Sequence, residues 1–195
     1  MARMPTLQVI IASTRPGRAG LPIAEWFSAA ARRHGAFELD VVDLLELDLP
    51  FLDEPNHPRL RQYTKQHTWD WSARAEAADA FVFVMPEYNF GFNAPLKNAL
   101  DFLHGEWAYK PVGFVSYGGV AAGTRAVQMI KQVVTSLRMT PVFDAVYVPF
   151  FRQFMDEAGV VRANETMETA ATAMLDELVR LERALRPLRG PREER

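Results

Sequence analysis

Short apolar runs alternate along this chain with segments in which apolar residues recur every three or four positions. Four of the runs predict β-strands with good contrast: Leu7–Ala12, Phe81–Met85, Val112–Tyr117 and Val142–Val148. A weaker fifth run, Phe37–Val42, alternates apolar with acidic residues, which is typical of an edge or near-edge strand. Leu7–Ala12 and Val112–Tyr117 do not alternate, so we expect helices to cover both of their faces.

Helical patterns fill the intervals between the runs. Three amphipathic stripes span residues 23–34, 127–137 and 167–185. Their inward faces consist of Ile23, Phe27, Ala30, Ala31 and His34; of Val127, Ile130, Val133, Val134 and Leu137; and of Met167, Ala170, Met174, Leu175, Leu178, Leu181 and Leu185. Asn93, with a proline two positions later, predicts a capped helix start, and residues 59–78 predict a less regular helix.

The resulting order of elements is β-α-β-α-β-α-β-α-β-α. Because crossovers between parallel strands are right-handed and connections are short, this order favours an α/β fold with a doubly wound parallel sheet. Ligands of such sheets bind at the carboxyl ends of the strands, beside the point where the strand order reverses. The loops after the first, third and fourth strands are therefore the expected positions of ligand-binding residues.

Composition narrows the class of protein. The chain has 195 residues, 49% of them hydrophobic and 24% charged, which is enough for a core without metal or disulfide. The absence of cysteine excludes thiol catalysis, Cys-ligated zinc and iron–sulfur clusters. A formal net charge of −2 argues against a nucleic-acid partner. No apolar run approaches the ~20 residues of a membrane span.

The termini complete this picture. The first residues lack the basic-then-apolar layout of a signal peptide, so we expect a soluble, cytoplasmic protein without a membrane partner. Residues 186–195 are charged and interrupted by proline and glycine, which predicts a disordered tail. We expect one domain over residues 1–185.

The loop after the first strand carries Ser13, Arg15, Gly17 and Arg18 in front of a helix. Hydroxyl groups, guanidinium groups and backbone N–H groups at a helix N-terminus are what a phosphate dianion requires. The loop is neither G-x-G-x-x-G nor a P-loop, and its side-chain donors suit a terminal monophosphate. The alternative is a solvated turn whose arginines face water.

The loop after the third strand contains Pro86, Glu87, Tyr88 and Asn89. An aromatic face beside amide and carboxyl groups suits a flat heteroaromatic ring. The nearby Phe90 and Phe92 can instead be interface or core residues, which does not compete with a ligand at positions 86–89. Lys97 and Asp101 lie four residues apart, and we interpret them as a surface ion pair on a helix.

The loop after the fourth strand reads Ser116, Tyr117, Gly118 and Gly119. Paired glycines at the end of a strand allow a planar ligand to approach the backbone closely. Together the three loops offer a phosphate site, a ring contact and a glycine floor at one edge of the sheet. A mononucleotide with a tricyclic ring requires this set of contacts.

These motifs resemble the NADPH-dependent FMN reductases, a flavodoxin-like family that includes chromate, quinone and azo-dye reductases. The matching segments are S-T-R-P-G-R, P-E-Y-N followed by P-L-K-N-A-L-D, and S-Y-G-G, in the same order over about residues 6–150. The resemblance implies a five-stranded doubly wound sheet of order 2-1-3-4-5. It also implies two sets of contacts to FMN. Those to the phosphate come from Ser13, Arg15, Gly17 and Arg18; those to the isoalloxazine come from Pro86, Glu87, Tyr88 and Asn89 on one side and Ser116, Tyr117, Gly118 and Gly119 on the other.

Two positions depart from the family pattern. Ala12 stands where many members have glycine, and Arg18 stands where many have a small hydroxyl residue. We expect alanine to be tolerated. Arg18 either adds a contact to the phosphate or points away and leaves that contact to backbone N–H groups.

The activity implied by the resemblance is that of an FMN-dependent oxidoreductase. NADPH or NADH supplies a hydride to bound FMN, which passes electrons to a small-molecule acceptor such as a flavin, quinone or azo compound. This chemistry requires no acid or base from the protein, and we nominate no catalytic residue. The alternatives are a flavodoxin-like electron carrier without NAD(P)H chemistry and a family member that binds no flavin. A near-neutral charge favours the enzyme, because flavodoxins are strongly acidic.

A second copy of the chain is the partner that we expect. Phe90, Phe92, Trp107 and Tyr109 surround the predicted site and exceed what the loops of a monomer should expose. The family resemblance agrees, because flavin sites in this family lie at subunit interfaces. We therefore predict a homodimer or homotetramer.

Overall fold

A parallel sheet forms the centre of the computed structural model, which describes residues 3–189. Its strands are β1 (Thr6–Ile11), β2 (Glu38–Asp43), β3 (Ala80–Pro86), β4 (Pro111–Gly118), β5 (Thr140–Pro141) and β6 (Val146–Pro149). Every strand pair is parallel, and the order is β2-β1-β3-β4-β5, with β6 also pairing with β4. The predicted flavodoxin-like order 2-1-3-4-5 is confirmed.

The edge strand is interrupted, so the prediction of one continuous strand over Val142–Val148 is wrong. Thr140 and Pro141 pair with the start of β4, and β6 pairs with its end. Residues 142–145 lie opposite only two residues of β4, and a ladder cannot continue through this mismatch. The extra chain turns outward, which leaves the Phe143 side chain 91% exposed.

Six α-helices cover the two faces of the sheet. They are α1 (Gly20–His34), α2 (Leu44–Leu47), α3 (Gln66–Ala77), α4 (Ala94–Asp101), α5 (Thr124–Ser136) and α6 (Glu165–Leu185). The helix predicted over residues 59–78 begins only at Gln66, and a short 3-10 turn occupies Pro58–Leu60. Asn93 precedes α4 as predicted, although its side chain bonds to the Ala12 carbonyl oxygen instead of capping the helix.

Alternate strand residues build two hydrophobic clusters, one on each face. Ile10, Phe83 and Phe114 pack with residues of α3, α4 and α5, whereas Val9, Val84 and Val115 pack with residues of α1 and α6. Both faces of the central strands are therefore covered, as the non-alternating apolar runs predict. Because every strand pair is parallel, the carboxyl ends of the strands lie at one edge of the sheet.

Trp107 belongs to this core, and the prediction that it is an exposed aromatic beside the site is wrong. Its ring is fully buried and lies 5.7 Å from the Trp71 ring and 5.0 Å from the Phe81 ring. Phe92 also packs against the core. Phe90 remains strongly exposed, at 64%. The predicted aromatic surface is therefore smaller than the sequence indicates.

The chain stays ordered beyond α6. Arg186–Leu188 form a 3-10 turn, and Arg189 donates hydrogen bonds to the carbonyl oxygens of Tyr109 and Asp79, each at 3.0 Å. The predicted tail therefore starts with four ordered residues, and positions 190–195 lie outside the described residues. Between residues 3 and 189, no helix has the length and apolar character needed to cross a membrane.

Candidate functional site

A cavity of about 370 Å³ opens at the carboxyl edge of the sheet. Eight of the twelve predicted site residues line it: Arg15, Gly17, Arg18, Pro86, Glu87, Tyr88, Tyr117 and Gly118. Ser13, Asn89, Ser116 and Gly119 belong to the same loops without lining the cavity. A larger cavity of about 500 Å³ lies beside α2 and α4, but among the described residues Asp48 is its one charged lining residue, and it contains none of the twelve. The charged side chains are therefore concentrated in the smaller cavity.

The loop between β1 and α1 presents donors for an anion. Ala19, at the N-cap of α1, has no side-chain acceptor, and the first turn carries no acidic residue. The first N–H groups of the helix are therefore available to a ligand. Gly17, with φ of +69°, turns the loop. Arg15 lines the cavity and forms no ion pair within residues 3–189.

Arg18 is bound to the protein itself. Both terminal nitrogens of its guanidinium donate to the Asp43 carboxylate, and Nη1 also donates to the Ser13 carbonyl oxygen at 2.8 Å. The two side chains are only 10% and 8% exposed. Asp43 in turn accepts from the Leu45 N–H at the start of α2, at 2.9 Å. Arg18 therefore ties the β1–α1 loop to the end of β2.

The loop after β3 makes a tight turn beside the first loop. Tyr88 and Gly91 exchange two backbone hydrogen bonds of 2.9 Å, and the residues between them, Asn89 and Phe90, have φ of +49° and +72°. Positive φ at both central positions is the geometry of a type I′ turn. The turn places the Tyr88 hydroxyl 3.1 Å from the Ser13 hydroxyl and leaves Asn89 exposed at its tip. Tyr88 thus links two of the predicted loops.

Glu87 is held by Arg125, a residue that the sequence did not single out. Its carboxylate accepts from Arg125 Nε at 2.5 Å and from the Arg125 backbone N–H at 3.2 Å. The Arg125 guanidinium also lies over the Phe90 ring, 3.8 Å from the ring centroid. Arg125 therefore neutralises Glu87, which precedes the turn, and packs against Phe90 within the turn. Arg125 follows the glycine-rich loop at the end of β4, and this position is the sequence feature that could have identified it.

A hydrogen bond inside the loop after β4 stabilises its conformation. Ser116 Oγ donates to the Ala122 carbonyl oxygen at 2.8 Å, so its hydroxyl serves the loop. Tyr117 lies with its ring edge against Phe151, with centroids 5.6 Å apart. Burial raises the pKa of the Tyr117 hydroxyl above its usual value, with the Ser13 hydroxyl partly opposing the shift. Tyr117 therefore stays neutral at physiological pH.

A fourth wall of the cavity follows β6 and was missed by the sequence reasoning. It consists of Phe151, Arg152, Met155 and Gly159. A 3-10 turn over Phe151–Phe154 leads into a hairpin that is closed by the bond from Asp156 N to the Val160 carbonyl oxygen, 3.0 Å long. The rule that strand ends carry ligands applies to the last strand as well. The run Pro149-Phe150-Phe151-Arg152 at the end of this strand is the sequence feature that could have identified the fourth wall.

Gly123 is required by the geometry of the third loop. Its φ is +84°, and a Cβ placed there would lie 2.7 Å from Ser116 Cβ. We expect Gly123→Ala to lower the free energy of unfolding by about 1–3 kcal/mol, because both the backbone conformation and the contact are unfavourable. Denaturant unfolding measures this loss. Gly119→Ala is the matched control, since its Cβ meets no atom within 4 Å; equal losses in both variants would contradict the assignment.

Comparisons with known proteins agree with this geometry. Residues 5–153 match the family described as NADPH-dependent FMN reductase. The chain is 41% identical over 149 residues to an NAD(P)H-dependent FMN reductase of Schizosaccharomyces pombe, covering 74% of each protein. It is 25% identical over 174 residues to the FMN-dependent NADPH-azoreductase of Staphylococcus saprophyticus, covering 88% of this chain and 92% of the other.

Solved structures show the same fold. The flavoenzyme NAD(P)H:(acceptor) oxidoreductase FerB of Paracoccus denitrificans is similar with a TM-score of 0.74 and 20% sequence identity, over 92% of this chain and 98% of the other. The family match covers the six strands and three walls of the cavity, and of the fourth wall it covers Phe151 and Arg152. On the strength of that match and of the identity to the yeast protein, this chain belongs to the NADPH-dependent FMN reductase family.

Proposed function

We propose that this protein binds FMN in the 370 Å³ cavity and uses NAD(P)H to reduce small-molecule acceptors such as flavins, quinones or azo compounds. The observation that carries the proposal is the meeting of eight predicted residues in one cavity of a chain that belongs to this family. Bound FMN would supply the redox chemistry, which is the acceptance of a hydride from NAD(P)H and the transfer of two electrons to the acceptor.

The residues present fit a phosphate-bearing planar cofactor. Arg15 and the uncapped start of α1 offer a cation and backbone N–H groups, which are the donors that a phosphate requires. Tyr88 and Tyr117 supply aromatic surface, and Gly118 leaves the backbone open to a flat ring. Glu87 is neutralised by Arg125, so it adds no net negative charge beside a cofactor that gains electrons.

The residues around the cavity have separate roles in binding the cofactor. Arg15 and the helix start hold the phosphate, and Arg18 fixes the loop that presents them. Tyr88, hydrogen-bonded to Ser13, keeps the ring loop and the phosphate loop in register. No group of the protein needs to gain or lose a proton during hydride transfer. The neutral Tyr117 hydroxyl is buried and has no hydrogen-bond partner among residues 3–189, so it is available to bond the cofactor.

We also propose the state in which the protein works: one FMN-binding domain over residues 1–185, assembled as a homodimer or homotetramer in the cytoplasm. The exposed Phe90 ring beside the cavity supports assembly, since aromatic residues are enriched at protein–protein interfaces. Light scattering at micromolar concentration measures the assembly. A fully active monomer would contradict it.

The test of the function uses the full chain reconstituted with FMN. We expect a yellow protein that binds FMN more tightly than FAD or riboflavin. Its flavin absorbance should bleach on anaerobic addition of NADPH or NADH and return when a quinone or azo compound is added. A protein that binds no FMN would contradict the proposal. A flavin that stays oxidised with both nucleotides would indicate an electron carrier.

A further inference from the structure

We propose that Arg152 distinguishes NADPH from NADH by binding the 2′-phosphate of NADPH, an inference that rests on the proposed function. Arg152 lies on the wall of the cavity that follows β6. Among the described residues, it is the second arginine of the cavity without an acidic partner, and this excess of positive charge favours a second anionic ligand.

The charges that line the cavity are three arginines and one glutamate: Arg15, Arg18, Arg152 and Glu87. Two of these four are neutralised by residues outside the cavity, Arg18 by Asp43 and Glu87 by Arg125. Within the part of the chain that the structure describes, Arg15 and Arg152 form no ion pair. Two positive charges therefore remain for ligands.

The two free arginines lie on different walls. Arg15 belongs to the loop before α1, and its charge acts on the Tyr117 hydroxyl inside the cavity. Arg152 lies in the 3-10 turn after β6, where its carbonyl oxygen accepts from Met155 N at 3.2 Å. The turn fixes its backbone, while the side chain is exposed to solvent. Arg15 is placed for the phosphate of FMN, and Arg152 for a group at the mouth.

The neighbouring acidic side chain does not neutralise Arg152. Asp156, four residues later, accepts from Arg162 Nε at 2.9 Å and from the backbone N–H groups of Ala158 and Val160. Glu157 is exposed and forms no ion pair among residues 3–189. The guanidinium of Arg152 thus keeps its charge toward the cavity mouth.

The volume of the cavity indicates which phosphate group of the ligands lies near Arg152. At about 370 Å³ it is near the lower end of the ~300–1,000 Å³ range of small-ligand sites, so bound FMN fills it. The nicotinamide must reach the flavin, and the adenosine half of the dinucleotide stays at the mouth. NADPH and NADH differ only in the 2′-phosphate on that half. A guanidinium binds phosphate through two parallel hydrogen bonds, which makes it the suitable group for this distinction.

The test compares Arg152→Ala with the wild type, both loaded with FMN. We expect the ratio of kcat/KM for NADPH to that for NADH to fall about tenfold, the loss of one charge-assisted contact at an exposed position. Calorimetric titration with adenosine 2′,5′-bisphosphate should show a similar loss of affinity, whereas adenosine 5′-monophosphate binding should not change. Arg152→Lys keeps the charge and should retain part of the preference.

Arg180→Ala is the matched control, because it removes an exposed guanidinium that is paired with Glu177 on α6 and does not line the cavity. An unchanged nucleotide ratio together with unchanged bisphosphate affinity in Arg152→Ala would overturn the proposal. A loss of FMN affinity without a change in the ratio would also overturn it and assign Arg152 to FMN. Failure of the wild type to oxidise either nucleotide would contradict the proposed function instead, since bisphosphate binding is measured without turnover.

Discussion

Replacing Arg15 by alanine is expected to weaken FMN binding by about 10- to 100-fold and to leave riboflavin binding almost unchanged. Arg15 lines the cavity beside the uncapped start of α1 and has no acidic partner within residues 3–189. Its contact with the phosphate dianion is a charge-assisted hydrogen bond of about 1.5–3 kcal/mol, and each 1.4 kcal/mol is a factor of ten in affinity. Riboflavin lacks the phosphate and loses nothing. Flavin fluorescence titration measures both affinities.

Arg33→Ala is the control for a general loss of positive charge. Arg33 lies at the other end of the same helix, where it is exposed and paired with Glu168. We expect it to bind both flavins as the wild type does. Equal losses of FMN and riboflavin affinity in Arg15→Ala would show that the loop has collapsed and would remove the phosphate assignment.

The sheet could be predicted because its apolar pattern is local. Residues such as Val9 and Ile10 pack into opposite hydrophobic clusters, so both faces of β1 are buried, and Gln8 is the only polar residue of the run Leu7–Ala12. The edge strand offered no comparable signal. Val142 and Val146 both belong to the core, but the register against β4 shifts between them, and the register depends on the partner strand.

The partners of the charged side chains could not be predicted. Arg18 meets Asp43 across 25 positions of the chain, and Arg125 meets Glu87 across 38. No periodicity in the sequence links residues so far apart. The chain also offers several acidic residues, and the sequence does not show which of them pairs with a given arginine. The sequence thus predicted Arg18 and Glu87 as candidate site residues, and the structure reveals which side chains they pair with.

The exposure of the aromatic residues also could not be predicted from the sequence. Trp107 lies in a loop region of the sequence, between a predicted helix and a predicted strand, and was interpreted as a surface residue. In the structure it fills the space between Trp71 and Phe81, and its indole N–H donates to the Leu100 carbonyl oxygen at 3.2 Å. Burial of a loop residue depends on which elements close over it, so it follows from the tertiary fold alone.

Replacing Arg18 by alanine is expected to lower the free energy of unfolding by about 3–5 kcal/mol. The substitution leaves the Asp43 carboxylate, only 8% exposed, without the guanidinium that binds both of its oxygens. Removal of one partner from a buried ion pair is costly because an uncompensated charge remains. Denaturant unfolding of Arg18→Ala, Asp43→Ala and the double variant measures the effect, and the double variant should lose less than the sum of the two single variants.

The same variants decide whether Arg18 positions the loop or contacts the phosphate. Its guanidinium is bound to Asp43 and to the Ser13 carbonyl oxygen, so we expect it to act by holding the loop. Asp43→Ala should then weaken FMN binding about as much as Arg18→Ala does, since either change releases the loop. If the guanidinium contacts the phosphate directly, Asp43→Ala would free it for that contact. FMN affinity would then stay the same or rise in Asp43→Ala while it falls in Arg18→Ala, and the positioning role would be excluded.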